Sequence, residues 1–141
     1  MNTVPLGAKG RFALDVKPQH LASQFKDPML PPVLATPVMI LAMENAALNA
    51  IRGYLGPGES AVGIAVDVRH IAATPVGQRV TADAEVTKVD GRRLVFTVTA
   101  RDETEEIGRG THERMVIDLL RLEQRLEAKR TRSPADPGNQ K

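Results

Sequence analysis

The stretch from Leu34 to Gly53 constrains the chain more than any other. It reads as one long helix, apolar almost all round, broken only by Glu44, Asn45, Asn49 and Arg52. A helix of that kind has to be buried. Thr36 is a good N-cap residue, and Pro37 fits the first helical position, where a missing N–H costs nothing. Gly53 and the Gly56-Pro57-Gly58 turn mark the end. At ~100° per residue, Asn45, Asn49 and Arg52 share one stripe that can meet water or a partner. Glu44 instead falls with Ile40, Ala47 and Ile51. A carboxylate on an apolar stripe is costly unless it is paired or protonated, so Glu44 needs a partner elsewhere in the chain.

A chain of 141 residues suits one domain with one core. It contains no apolar run near ~18 residues, so no membrane span is expected. The N-terminal residues lack a basic segment followed by a long apolar one, so no secretory leader is expected. There is no cysteine. That removes disulfides, thiolate metal sites and cysteine nucleophiles, and it suits a cytoplasmic protein. Aromatics make up 3% and the net charge is +2. Few platforms exist for stacking bases, so no nucleic-acid partner is expected.

Ahead of the helix, Phe12, Leu14 and Val16 alternate with other residues and predict a first strand. Residues 17–35 carry Pro18, Pro28, Pro31 and Pro32 among Leu21, Phe25, Met29, Leu30, Val33 and Leu34. The prolines forbid a long helix there, yet the apolar content demands packing. The segment reads either as a loop closing one end of the core or as a lid over a ligand.

Four strands are expected after the helix. In Glu59–His70, strict alternation puts Val62, Ile64, Val66, Val68 and His70 on one face and Gly63, Ala65, Asp67 and Arg69 on the other. Arg79 to Val89 follows, with Val80, Ala82, Ala84 and Val86 inward. Asp90-Gly91 signals a two-residue hairpin into Arg92 to Asp102, with Leu94, Phe96, Val98 and Ala100 on one face. The last strand runs from Ile107 to Leu119. One buried helix with antiparallel strands is an α+β pattern, most simply a curved sheet around the helix. Residues 1–119 form this single domain. Residues 120–132 suit an amphipathic turn or two of a charged extension, and from Ser133 onward no core-forming residue remains, so disorder is expected there.

Three residues draw attention as chemistry. His70 lies in phase with Val66 and Val68. If that face packs on the helix, His70 and Glu44 approach one interface from opposite sides, and a carboxylate there would orient the imidazole. The alternative is a strand-end histidine bonded to a backbone carbonyl. Thr36 is an N-cap or, beside the amides of a helix N-terminus, a nucleophile near an oxyanion site. Thr36 and Glu44 are roughly 12 Å apart along the axis. A histidine between them would touch both, giving a nucleophile–base–orienter set. His112 shares a face with Gly110, Arg114 and Val116 and reads as a charged, solvated strand end. His20 lies in the loop. The three histidines have no close ligand spacing, so no metal is expected.

The chain also resembles the hot-dog-fold thioesterases of the fluoroacetyl-CoA thioesterase type. The resemblance rests on Leu34-Ala-Thr-Pro37 with Glu44 downstream, Val62-Gly63 leading to Val68-Arg-His70, Ala72-Ala-Thr-Pro75 with Gly77, Val89-Asp-Gly-Arg-Arg-Leu94, and Ile107-Gly-Arg-Gly-Thr-His-Glu-Arg114. It implies a helix wrapped by an antiparallel sheet, and a homodimer, or a pair of such dimers, with sites near the subunit interface. It implies hydrolysis of an acyl-CoA thioester with no separate cofactor, since the CoA moiety belongs to the substrate. Its Thr–Glu–His set falls on Thr36, Glu44 and His70. Gly63 and Arg114 match positions lining the acyl end of the family's site. Where the fluoroacetyl-specific enzyme has lid phenylalanines, this chain offers Met29, Leu30, Val33 and Leu34, which points to a different short acyl group.

The resulting expectation is a small acyl-CoA thioesterase. His70, oriented by Glu44, acts as base on Thr36 or on water, and helix N-terminal amides or a strand N–H near Gly63 hold the oxyanion. Arg92, Arg93, Arg109 and Arg121 are the basic residues available to CoA phosphates. The rivals are a non-catalytic acyl-CoA-binding protein, a dehydratase on the same fold, and a structural dimer with a buried Glu–His pair.

Overall fold

The computed structural model describes residues 1–131. The first strand, β1 (Lys9–Asp15), leads into a short 3₁₀ turn and a four-residue helix, α1 (Ala22–Phe25). The long helix α2 spans Thr36–Ile51. Four strands follow: β2 (Glu59–His70), β3 (Arg79–Asp90), β4 (Arg93–Arg101) and β5 (Glu106–Asp118). A last helix, α3, covers Leu119–Thr131. The strands form one antiparallel sheet in the order β1-β3-β4-β5-β2, curled around α2. This is the α+β hot-dog arrangement expected.

The core sits between α2 and the inner face of the sheet. Met39, Ala42, Met43, Ala46, Ala47 and Ile51 are buried on the helix. Val80, Ala82, Ala84 and Val86 of β3 and Leu94, Phe96, Val98 and Ala100 of β4 face them, as their alternation predicts. The many alanines let the sheet close tightly on the helix. Closest is Gly10, where a Cβ would collide with the Ala46 carbonyl and the Ala50 amide of α2. The β3–β4 loop is Gly91-Arg92, one residue later than the Asp90-Gly91 pair that signals it. Gly91 takes φ +61°, which the tight turn requires.

Four sequence expectations are corrected. Thr36 is not the N-cap of α2. Ala35 is, in extended conformation, which places Thr36 in the first turn with its hydroxyl free for other work. The strict alternation of β2 fails at one point. Its pairing with β5 steps from Gly63↔Arg114 to Ala65↔Glu113, leaving Ile64 as an extra, bulged residue. Gly63 therefore shares a face with Val66, Val68 and His70, while Val62 turns to the other. Nor does α2 cover the middle of β2: Val62, Ile64 and Val66 remain 38–47% exposed. Finally, residues 119–131 form a 13-residue helix rather than a turn or two, so the expected 119/120 junction falls in its first turn. The coreless stretch expected from Ser133 lies outside the described residues.

Candidate active site

The chain places Thr36 and His70 together. Thr36 begins α2 and His70 ends β2, so two distant elements must be pinned at their ends. Buried Thr74 and Asp102 supply the pin. The Thr74 hydroxyl donates to Asp102 Oδ2 at 2.9 Å, and Asp102 Oδ1 accepts from the Thr104 and Glu105 amides and the Thr104 hydroxyl. Burial would raise the Asp102 pKa, but these donors outweigh it and hold the carboxyl below its usual range. The Thr74 carbonyl in turn accepts from the Leu34 amide at 2.9 Å. The strap entering α2 is thus tied to the loop leaving β2. Asp102 escaped sequence reading because nothing local marks a β-turn aspartate as buried.

With that pin in place, Thr36 Oγ1 and His70 Nδ1 lie 2.8 Å apart. Burial pushes the His70 imidazole below its ordinary pKa, with the Ala72 backbone opposing. A neutral ring accepts the Thr36 hydroxyl proton at Nδ1 and carries its own hydrogen on Nε2. That Nε2 is buried and has no hydrogen-bond partner among the described residues. The pair opens onto a cleft of about 360 Å³, walled by Leu30, Val33, Leu34 and Ile71 with Lys26 near the mouth. The 17–35 segment is therefore a wall of this cleft. Met29 stands away from it, 93% exposed.

The amides of α2 are less available than expected. Pro37 has none, and those of Val38 and Met39 donate to the Ala35 carbonyl. The Thr36 amide makes no backbone hydrogen bond among the described residues.

Glu44 is elsewhere. Its carboxylate sits beneath Gly63, where a Cβ would lie 2.8 Å from Glu44 Oε2 and 3.2 Å from His112 Cε1. The charges it acts on are His112 and Arg114. Gly63 and His70 are separated by roughly 20 Å of strand. His70 therefore touches Thr36 but not the Glu44 of its own chain.

His112 is not the solvated strand end its polar neighbours suggest. It is buried, stacks on Phe96 at 5.9 Å, and pairs Nδ1 with the Ala65 carbonyl at 2.8 Å. Arg114 Nη1 lies 3.2 Å from His112 Nε2, and Nη2 donates to the Ala61 carbonyl at 2.6 Å. Desolvation lowers the pKa of both groups. Arg114 Nε has no partner among the described residues. Gly63, Glu44, His112 and Arg114 thus form a second polar cluster, opening at the uncovered middle of β2. No group of three or more metal-ligating side chains occurs among the described residues.

Comparison with known proteins bears on the family of the chain. Residues 16–119 match the model of the fluoroacetyl-CoA-specific thioesterase family. A fluoroacetyl-CoA thioesterase of Streptantibioticus cattleyicolor is 48% identical over 99 residues, covering 70% of this chain and 71% of the relative. A solved structure of the fluoroacetyl-CoA thioesterase superposes with a TM-score of 0.85 at 37% identity, covering 94% of this chain and 100% of the other. A thioesterase superfamily member from Thermus thermophilus gives a TM-score of 0.85 at 28% identity, covering 92% and 96%.

Proposed function

This chain belongs to the fluoroacetyl-CoA-specific thioesterase family and is a thioester hydrolase; from that premise we propose that it cleaves a small acyl-CoA to the free acid and CoA, with Thr36 and His70 at the reacting centre. The observation that carries this reading is the 2.8 Å contact between the Thr36 hydroxyl and a neutral, half-buried imidazole. His70 takes the hydroxyl proton as Thr36 Oγ attacks the thioester carbonyl. The same proton then goes to the departing CoA sulfur. A water deprotonated by His70 attacks the acyl-Thr36 ester, the acyl–Oγ bond breaks, and His70 returns that proton to Thr36 Oγ as the acid leaves.

The site is completed by a second copy of the chain. β2 is an edge strand, with an unpaired side and three exposed aliphatic residues at its centre. Pairing of two such edges about a twofold axis sets the Glu44–Gly63–Arg114 cluster of one copy toward the Thr36–His70 cleft of the other. A carboxylate arriving at that cleft stands beside the His70 ring and stabilises its charged form as the proton is taken up. Glu44 is then the orienting residue, acting in trans, while Gly63 and Arg114 bound the acyl end with Val33 and Leu34 opposite. A homodimer, or two such dimers together, is the assembly this requires.

Two of the named relatives are fluoroacetyl-CoA thioesterases. In this chain the cleft is walled by Leu30, Val33 and Leu34, with no phenylalanine among the described lining residues, and we propose a short acyl group other than fluoroacetyl. No cofactor enters the proposed step, so chelator dialysis should leave turnover unchanged. The cysteine-free sequence supports a cytoplasmic site of action, and among the described residues no helix is long and apolar enough to cross a membrane.

The test is thiol release from a panel of short-chain acyl-CoAs, with His70→Ala beside the parent and a melting curve for both. Turnover lost in a folded variant supports the reading. Equal turnover in both contradicts it. CoA binding without turnover in either favours an acyl-CoA-binding protein.

A further inference from the structure

The four arginines that the sequence offers to CoA phosphates are not equivalent in the structure. Arg93 is held by Glu113 at 2.7 Å and by Asp90, and Arg109 by Glu106 at 2.8 Å. Their charge is locally answered. Arg92 and Arg121 are different. Together with Arg125 they line a groove of about 500 Å³ between α3 and the outer face of β5, floored by Met115, Ile117 and Leu122. Arg121 and Arg125 are one helical turn apart on α3, so both reach the same groove. Neither makes a side-chain ion pair or hydrogen bond among the described residues. The one carboxylate in the lining, Asp118, accepts the Arg121 amide at 3.0 Å and so caps α3. Arg92 shares its charge with Glu59 at 3.3 Å, beneath the start of β2. A cationic rim over an apolar floor suits an anion with an organic body better than a free inorganic ion.

The position of the groove determines which cleft it serves. It lies at the Glu59 end of β2, whereas Thr36 lies at the His70 end. Eleven residue steps at ~3.3 Å separate the two ends by about 36 Å, too far for one CoA to bridge within a chain. An edge strand paired with its own copy about a twofold axis brings the Glu59 end of one chain beside the His70 end of the other.

We infer that the groove of Arg92, Arg121 and Arg125 binds the phosphate-bearing nucleotide of CoA whose thioester lies at Thr36 and His70 of the opposite subunit. This rests on the thioesterase reading, and two substrates separate the two claims. One is an acyl-CoA; the other is the same acyl group on N-acetylcysteamine, which has the thioester but no nucleotide. In the full chain, Arg121→Ala with Arg125→Ala is expected to raise KM for the acyl-CoA about tenfold or more, kcat holding, since charge-assisted bonds to phosphate are lost. The truncated thioester should not distinguish variant from parent. Equal KM effects on both substrates, or none on the acyl-CoA, would overturn the inference. If the parent hydrolyses neither substrate, the thioesterase reading fails. Equilibrium CoA binding then decides the groove: a Kd about tenfold weaker in the variant supports it, and an unchanged Kd rejects it. Mixing His70→Ala subunits with the double-arginine variant tests the crossing. Recovery of low-KM turnover is expected, and its absence would place nucleotide and thioester on one subunit.

Discussion

Gly63 and His70 are seven residues apart on one strand, yet both face α2. In an unbroken strand an odd separation puts two residues on opposite faces. The bulge at Ile64 adds one residue and restores them to the same side. Gly63 consequently lies over Glu44 and His112, and His70 over Thr36. One inserted residue aligns both halves of the proposed site along a single face of β2.

Removing the imidazole should cost more than removing its partner's methyl. His70→Ala is expected to lower kcat by about 10²–10⁴, the range for a positioned general base. Thr36→Ser keeps the hydroxyl and should retain most activity, while Thr36→Ala should not. Steady-state thiol release on folded variants checks this. An active Thr36→Ala would transfer the attack to water.

The pH dependence follows from the sign of the histidine shifts. Burial lowers the pKa of His70, and the neutral ring is the competent base. The rate kcat/KM should therefore rise with pH as His70 loses its proton and stay flat above that step. A rate that falls as pH rises through neutrality would contradict His70 as the base.

Stability should respond in the same window. His112, like His70, has a pKa depressed mainly by desolvation. Below ~6.5 the unfolded chain takes up a proton that the folded chain resists. Stability is therefore full above that pH and is lost as pH falls toward the folded pKa values. The melting temperature is expected to drop on acidification from pH 7, less steeply in His112→Asn.

Two glycines should part in their effects. A Cβ at Gly63 meets the free end of the Glu44 side chain, which can swing away, and the His112 ring at 3.2 Å, which must give by a few tenths of an ångström. Gly63→Ala is expected to melt within a few degrees of the parent but to lose activity, because Glu44 and the acyl end are displaced. A Cβ at Gly10 meets the backbone of α2, which cannot yield. Gly10→Ala should cost on the order of 1–3 kcal/mol of stability through overpacking. A denaturant titration beside an activity assay distinguishes the two.

Much of this architecture is legible in the residues. The all-round apolar run ending at Gly53 predicts a central helix, and Val80 to Val86 and Leu94 to Ala100 alternate as the structure has them. The approach of Thr36 to His70 is legible as a pairing of residue types, whereas Glu44 of the same chain lies with Gly63 and not with His70. What periodicity does not carry is phase across a defect. No residue at Ile64 marks a bulge, so strict alternation sends Gly63 to the wrong face. Burial of His112 and Arg114 is hidden for a related reason. Their polar neighbours look like a wet strand end, and only tertiary contact with Phe96 and Ala61 takes them inside. The tie from Asp102 through Thr74 to Leu34 spans 68 residues of sequence, beyond any local pattern.

The most direct test of a site shared between two copies is subunit complementation. Thr36→Ala and Glu44→Ala should each be inactive as pure proteins. In a dimer that pairs one of each, Thr36 and His70 from one subunit meet Glu44 from the other, and one intact site forms. Random exchange makes about half of the dimers mixed, each with one of two sites, so mixing should restore about a quarter of parental turnover. If mixing restores nothing while subunit exchange is demonstrated, Glu44 does not act across the interface, and the account of the site is wrong.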